Sequence, residues 1–595
     1  MPADTDLQPA QPTQLQPRNF FAKFWKLTAP YWRSKDWKLA WILSLIVIGM
    51  NLGLVGIDVI LNYWNRDFFN SLQAKDEPAF YHLLVKFSII AGIYIVVAVY
   101  YLYLRQMLMI RWRRWMTDTL LQRWLNKRTY YLLQLGDYGT DNPEQRIEQD
   151  INSFTSSTVS LLMGLLNSVV TLFSFTFILW SVSGPLTFTL AGQTITIPGY
   201  MLWVAVLYAG VGSYLAYRIG RPLVGINFMQ ERFNASFRFG MTRLRENAES
   251  VAFYGGEADE KRRLDVAFDK VWRNWFQYMK QTKRLTWFTS FYGQAASVFP
   301  FFVAAPRYFS GAISFGTLTQ IADAFSSVQS ALSWFVDAFS SLADWKASVN
   351  RLIAFVDAIE KAEQDAARMS ELAIHHDGQK HLTADLTEVA LPDGRQLLSG
   401  IGFTVRPGQH VLIDGPSGSG KTTLFRTLAG LWPFGRGKVQ LPAERRTLFL
   451  PQKPYLPIAS LREALCFPMT PDAVPSEQIV DALKLVGLDS LTPRLDEKNN
   501  WSLILSGGEQ QRIAIARAIL TKPDWLFLDE ATSALDEDSE EKMYQLLIER
   551  LPQAAIISIA HRSRLRKFHD LRLSIDPERQ KIDLSDLRQS AEVPA

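Results

Sequence analysis

Residues Val411-Leu412-Ile413-Asp414-Gly415-Pro416-Ser417-Gly418-Ser419-Gly420-Lys421-Thr422-Thr423 read as a short apolar strand, a glycine-rich loop and the opening of a helix that runs to Leu428. In that context the loop is built to hold phosphate. Glycines at 415, 418 and 420 let backbone N–H groups close around anionic oxygens, and the helix N-terminus adds its positive end. Lys421 supplies charge against the β- and γ-phosphates of ATP, and the Thr422 hydroxyl is a ligand for Mg2+. A glycine turn without a ligand would not need the Lys-Thr pair directly after it.

A second segment completes the chemistry. Trp525-Leu526-Phe527-Leu528-Asp529-Glu530 places four apolar residues before two carboxylates, the pattern of a buried parallel strand that ends at a site. Phosphoryl transfer rests on positioning and charge neutralisation, so one carboxylate, Asp529, serves the Mg2+ shell and the next, Glu530, polarises the attacking water. An α/β nucleotide-binding domain is therefore expected over residues 379–580.

The N-terminal part has a different character. Hydrophobic residues make up 48% of the 595-residue chain and charged residues 20%, and long aromatic-rich apolar stretches gather before residue 340. A bilayer core of about 30 Å needs roughly 20 apolar residues in helix. Six stretches qualify: Leu39–Tyr63, Leu83–Leu104, Val159–Trp180, Tyr200–Tyr217, Phe288–Tyr308 and Leu318–Phe339. Before them, Phe20–Tyr31 sets Lys23 and Lys26 among aromatics, as an amphipathic helix on a membrane surface would. Basic residues flank the first two spans at Lys26, Arg33, Lys35, Lys38, Arg105, Arg111, Arg113 and Arg114, while Ser181–Gly199 holds neither Lys nor Arg. By the positive-inside rule both termini face the cytoplasm. The connections 105–158 and 218–287 carry helical periodicity, so the spans should continue as helices beyond the membrane.

The expected layout is a disordered tail at 1–18, an all-α membrane domain at 19–356, a linker at 357–378, the nucleotide-binding domain and a C-terminal tail at 581–595. A net charge of +5 is too small at this length to imply nucleic acid. The single Cys466 excludes an intramolecular disulfide and reads as a small buried hydrophobe. Asp323 falls near the middle of the sixth span, where a carboxylate needs a reason. It either lines a cavity and touches polar cargo or a proton, or it pairs with a neighbouring helix for packing.

Leu505-Ser506-Gly507-Gly508-Glu509-Gln510-Gln511-Arg512, lying between the phosphate loop and Asp529, resembles the signature of ABC ATPases. The resemblance implies that Ser506, Gly507 and Gly508 contact ATP held by the other subunit's phosphate loop, and so implies a homodimer. It also implies that Gln452 acts as the Q-loop residue beside Mg2+ and the attacking water. Asp536 in Ser533-Ala534-Leu535-Asp536 then takes the D-loop role, and His561 that of the switch histidine at the γ-phosphate. The usual adenine-stacking aromatic is missing from Leu391-Pro392-Asp393-Gly394, which leaves the base to apolar contact or to another residue.

Leu428–Pro433 and Leu450–Tyr455 are similar to ABC subfamily D. Asn62–Phe69, Asp141–Ile147 and Ala305–Phe309 are similar to SbmA/BacA-like membrane proteins fused to an ATPase, the YddA type. This resemblance implies a half-transporter with a six-helix, exporter-like membrane domain of the bacterial inner membrane. Its cargo would be bulky and polar, peptides or cobalamin-like molecules, moved inward. Fatty acids or acyl-CoA, and export, are the alternatives. Asp141 and Arg146 in the first long connection, and Glu249 in the second, are the expected coupling residues. A regulatory ATPase without cargo and a membrane-anchored phosphoryl-transfer enzyme are weaker readings, since Glu530 and His561 are both present and no acceptor site is apparent.

Overall fold

Backbone polar groups in a bilayer must find partners within their own segment, which makes helices of long apolar stretches. The computed structural model describes residues 17–587 except 137, 139–141, 191–192, 378–380, 393, 417, 443–445, 561, 577 and 579. Asp141, Ser417 and His561 therefore lie outside the described residues, as do residues 1–16 of the expected tail and 588–595. The chain forms two compact units, Met1–Lys127 with Gly139–Ala358, and Arg128–Tyr138 with Ile359–Ala595.

The first unit is helical. Helix α1 (Pro17–Thr28) precedes α2 (Trp37–Ala74) and α3 (Glu77–Leu125). The short α4 (Thr129–Leu135) belongs to the second unit. Then come α5 (Ile151–Ser183), α6 (Tyr200–Glu246), the short α7 (Ala248–Tyr254), α8 (Glu257–Phe309), α9 (Phe315–Asp337) and α10 (Phe339–Met369). The six stretches read as spans fall within α2, α3, α5, α6, α8 and α9, the last running on into the start of α10. The segments holding α2, α3, α5 and α6 are long and apolar enough to cross a bilayer by composition. Helices α8 and α9 are more polar, carrying Gln294, Arg307, Gln320 and Asp323 inside their apolar runs. The helices continue well past their apolar runs: α8 has 53 residues, about 80 Å at the helical rise. A β-hairpin, Leu186–Leu190 with Gln193–Ile197, fills the connection that lacks basic residues.

Helices α5, α6, α8 and α9 share an apolar core that includes Phe175, Leu179, Met201, Ala304, Ile321 and Phe325. Helix α9 is clipped to α2 by polar groups instead. Asn62 and Gln320 exchange hydrogen bonds, with Asn62 Nδ2 donating to the Gln320 carbonyl at 3.3 Å and Gln320 Nε2 to Asn62 Oδ1 at 3.1 Å. The backbone N–H groups of Phe315 and Gly316, free at the helix start, donate to Gln73 Oε1 and Asn70 Oδ1 at 2.9 and 3.0 Å. Gly316 is required there, because a Cβ would collide with the Arg66 carbonyl.

The second unit is α/β. Strands β1 (Ser370–Asp377), β2 (Leu382–Ala390) and β3 (Gln396–Val405) join β5 (Gly435–Pro442) in a four-stranded sheet ordered β1-β5-β2-β3. A six-stranded sheet contains β4 (His410–Asp414), β6 (Thr447–Leu450), β7 (Trp525–Asp529), β8 (Ala555–Ile559), β9 (Leu571–Asp576) and β10 (Lys581–Asp586). Its order is β10-β9-β4-β8-β7-β6, parallel except for the antiparallel edge strand β10. Strands β4, β7 and β8 are buried on both faces, which accounts for their unbroken apolar sequences.

Two expected boundaries change. The linker at 357–378 is the end of α10 followed by β1, paired in parallel with β5 from Ser370↔Gly435 onward. The tail at 581–595 begins as β10, whose backbone groups pair with β9 from Asp576↔Lys581 to Leu571↔Asp586. Both strands sit at sheet edges, where little burial is needed and hydrophobic patterning is weak.

Candidate functional site

The parallel sheet delivers its chemistry at the carboxyl ends of its central strands. Strand β4 leads into the phosphate loop and then α11 (Lys421–Leu428). Gly415, Gly418 and Gly420 have φ of 158°, 79° and 94°, left-handed or nearly so, which a side chain resists. At Gly420 a Cβ would also press on Leu397. Lys421 is folded back so that Nζ donates to the carbonyls of Gly415 and Pro416 at 2.7 and 2.8 Å. Burial lowers its ammonium from the ordinary lysine value, against the pull of Glu530, Asp414 and Asp529. Behind the loop, Asp414 is held by Arg572 at 2.7 Å and Arg566 at 3.4 Å.

At the end of β7, Asp529 comes close to Thr422, whose side chain favours the ionised carboxylate. Burial first, and the neighbouring Glu530 carboxylate second, raise the Asp529 carboxyl. Glu530 has φ of 48°, a left-handed conformation for a non-glycine residue that costs on the order of 1–3 kcal/mol and persists only because its surroundings enforce it. Its backbone N–H donates to Ile559 in β8 at 3.1 Å, and its carboxylate accepts from Gln452 Nε2 at 2.8 Å. Lys421, Thr422, Asp529, Glu530 and Gln452 are thus linked in one constellation, with Thr423 next in α11.

The site residues fit ATP and Mg2+. In the glycine loop the Gly415 N–H is taken by Asp414 and the Ser419 N–H by the Pro416 carbonyl, while the buried Ser419 Oγ has no protein partner among the described residues. A hydroxyl (Thr422), an amide oxygen (Gln452) and carboxylates (Asp529, Glu530) form an all-oxygen set of the kind Mg2+ prefers.

The signature residues start α12 (Gly507–Thr521). Ser506 is its N-cap in a full capping box: the Ser506 hydroxyl faces the Glu509 N–H, and Glu509 Oε2 accepts from the Ser506 backbone N–H at 2.8 Å. The Ser506 backbone and side-chain donors hold the Glu509 carboxyl below the usual range. Gly507 and Gly508 face Ala534, and a Cβ at 508 would crowd the Ala534 carbonyl and Leu535. Asp536 caps α13 (Glu537–Arg550) by accepting from Ser539 N at 2.9 Å, so its position also has a structural use.

In the first unit, Arg146 faces inward. It pairs at 2.8 Å with Asp150, which is 2% exposed and also takes Arg351 at 2.5 Å. Its guanidinium therefore helps neutralise a buried carboxylate. Glu249 lies on α7, which ends in Phe253 and Tyr254, 81% and 88% exposed. Asp323 accepts from Asn65 Nδ2 of α2 yet stays exposed on its other side, so pairing and exposure coexist. Two residues escape the sequence reading. Arg128 donates to the carbonyls of Ala429 and Gly430 at the end of α11, both at 3.2 Å. Gln511 bonds the main-chain carbonyls of Gln452 and Glu530 at the carboxyl end of the sheet. Arg128 has no sequence signal; Gln511 lies within the signature octet, with nothing in its spacing to separate it from Gln510.

Family models agree with this division. The model described as ABC transporter transmembrane region 2 matches residues 26–309, and that described as ABC transporter matches residues 398–533. The inner membrane ABC transporter ATP-binding protein YddA of Escherichia coli (strain K12) is 35% identical over 91% of this chain and 95% of its own. The chain belongs to the ABC transporter family. The transporter is also 29% identical to the human lysosomal cobalamin transporter ABCD4, over 79% of this chain and 80% of that one. A solved bacterial Atm1-family ABC exporter with ATP bound shares the fold, with a TM-score of 0.69 at 18% identity over 92% of this chain and 95% of the other. A helical transmembrane domain precedes an α/β ATPase domain, and ATP hydrolysis with Mg2+ drives transport.

Proposed function

We propose that the transporter works as a homodimer that carries bulky polar cargo, peptides or cobalamin-like molecules, inward across a bacterial inner membrane with both termini cytoplasmic. The observation that carries the ATP-driven part is the hydrogen bond from Gln452 to Glu530 beside Thr422, Asp529 and Lys421. Backbone N–H groups of residues 418–420 and the Lys421 ammonium hold the phosphates. Glu530 takes the direction of the attacking water, and Gln452 orients the Glu530 carboxylate. Thr422 and Gln452 would hold Mg2+, with Asp529 behind Thr422, and that ion supplies charge neutralisation for the transferring phosphoryl group. His561 takes the γ-phosphate role. Ser506, Gly507, Gly508 and Asp536 serve ATP on the partner subunit's loop, since a capped helix N-terminus is a ready anion site.

Binding of two ATPs then closes the ATPase pair, and hydrolysis reopens it. Glu530→Gln is expected to retain ATP binding, lower turnover by at least about 100-fold and trap an ATP-bound dimer. Measured hydrolysis and dimer trapping by size-exclusion chromatography check this, and unchanged turnover removes the role. The cobalamin reading draws on the printed name of the human relative. Asp323, exposed beside Asn65, is the proposed cargo contact, and Glu249 with Arg146 and Asp141 the proposed coupling set. Liposomes with ATP on a known side, offered labelled peptide, cobalamin and acyl-CoA, separate these cargoes and give the direction. Movement of acyl-CoA alone, or outward movement, would replace the proposed reading.

A further inference from the structure

We infer that Gln511 is a positioning residue that links the signature segment of one chain to that chain's own Glu530, and so couples the two ATP sites of the dimer. The inference rests on the sandwich-dimer reading above, in which one chain's signature serves the partner's ATP and its Glu530 serves its own.

Gln511 follows the signature glycines by one turn of α12 and is 2% exposed. Its amide meets four groups from two separate segments, Gln452 and the turn 530–534. Nε2 donates to the carbonyl of Gln452 at 3.1 Å, the carbonyl of Glu530 at 3.4 Å and the hydroxyl of Ser533 at 3.3 Å. Oε1 accepts from the Ala534 N–H at 2.8 Å. These are the Q-loop residue, the proposed water-polarising residue and the segment leading to Asp536. The neighbouring Gln510 reaches only Ser502 and Leu505 beside its own helix.

Chemistry limits what this amide can tolerate. A primary amide has two N–H donors and one acceptor oxygen, so three acceptors around Nε2 already share two hydrogens. Glu530 is held left-handed, and its carbonyl is pinned from one side by the Ser533 N–H at 3.0 Å and from the other by Gln511. Gly507 and Gly508 rest against Ala534, the residue whose N–H Gln511 accepts. A shift of the signature when it engages the partner's nucleotide must either carry Ala534, Glu530 and Gln452 with it or break buried hydrogen bonds. The lack of slack in a buried polar network makes the link two-way.

The test uses the intact dimer. Gln511→Glu keeps size and the acceptor for Ala534 but turns an oxygen toward the Gln452 and Glu530 carbonyls. Gln511→Met keeps length and removes every polar atom without adding repulsion. ATP hydrolysis is read as kcat, KM and Hill coefficient, with melting temperature measured alongside. The expected order of kcat is parent above Met above Glu, with Glu down by about ten-fold or more, KM within about two-fold and the Hill coefficient falling toward 1. A residue used only for packing would place Glu above Met, because Glu is the closer fit. That order overturns the inference, as does an unchanged Hill coefficient, or a melting loss in both variants that accounts for the lost activity. Glu530→Gln runs as the control for the dimer. If it traps no ATP-bound pair, the sandwich reading has failed and takes the coupling with it; if it does, the Gln511 variants judge the coupling alone.

Discussion

Single residues in the ATPase unit carry opposed electrostatic demands. Lys421 is buried enough to be lowered and faces three carboxylates that favour its charge, so the folded loop stores a cation ready for phosphate. His569 shows the opposite outcome. Burial first, then His410, lower its imidazole to about 4, although its Nδ1 lies 2.8 Å from the Leu565 carbonyl. Its folded pKa is below the unfolded value of about 6.5, so the unfolded chain binds the extra proton between those two values. Stability from this group is complete above about pH 6.5 and is lost as pH falls toward 4, by at most about 3 kcal/mol. Thermal unfolding of the parent and His569→Gln at pH 7 and pH 4.5 checks this: the variant should lose less between the two. Residues such as Lys421 and Glu530 were legible because their chemistry needs fixed types side by side. Gln511 was not, since its partners lie 19 to 59 positions away and only folding brings them to one amide.

Elements show the same division. The helix starts at Ser506 and Ser460 are local events, each a capping box closed by a glutamate three residues on. The α2–α9 pairing is not local. It needs Gly316 against the Arg66 carbonyl and a polar ladder through Asn62, Asn65, Asn70 and Gln73. Gly316→Ala should cost about 1–3 kcal/mol through forced separation of the two helices, seen as a lowered melting temperature in detergent. No change would mean that the helices separate without strain. The short helix α4 is a further case. Its residues group with the ATPase unit, Leu135 packing on that core and Arg128 bonding the carbonyls at the end of α11. The helix that begins at Lys421 thus has the glycine loop at one end and Arg128 at the other. Arg128→Ala is expected to leave basal hydrolysis within about two-fold and to reduce its stimulation by cargo, measured in proteoliposomes. The coupling stretch chosen from the sequence, Asp141–Ile147, starts outside the described residues, and its Arg146 is engaged with Asp150.

For the whole molecule, the order of membrane helices before ATPase sheet was readable without coordinates. Apolar length, the absence of basic residues from 181–199 and a phosphate loop in strand–loop–helix context are properties of contiguous sequence, and hydrophobic burial and backbone hydrogen bonding leave them few alternatives. The family and its ATP chemistry followed from the same stretches. Tertiary structure alone decided which polar side chains have partners. Asp323 meets Asn65, Asp150 meets two arginines, and Gln511 joins two loops at Glu530. It also drew β1 and β10 out of the expected linker and tail, because edge strands are held by pairing with neighbours more than by their own pattern. The physical reason is range: solvation and backbone geometry act on adjacent residues, whereas a buried hydrogen bond depends on where distant parts of the chain come to rest.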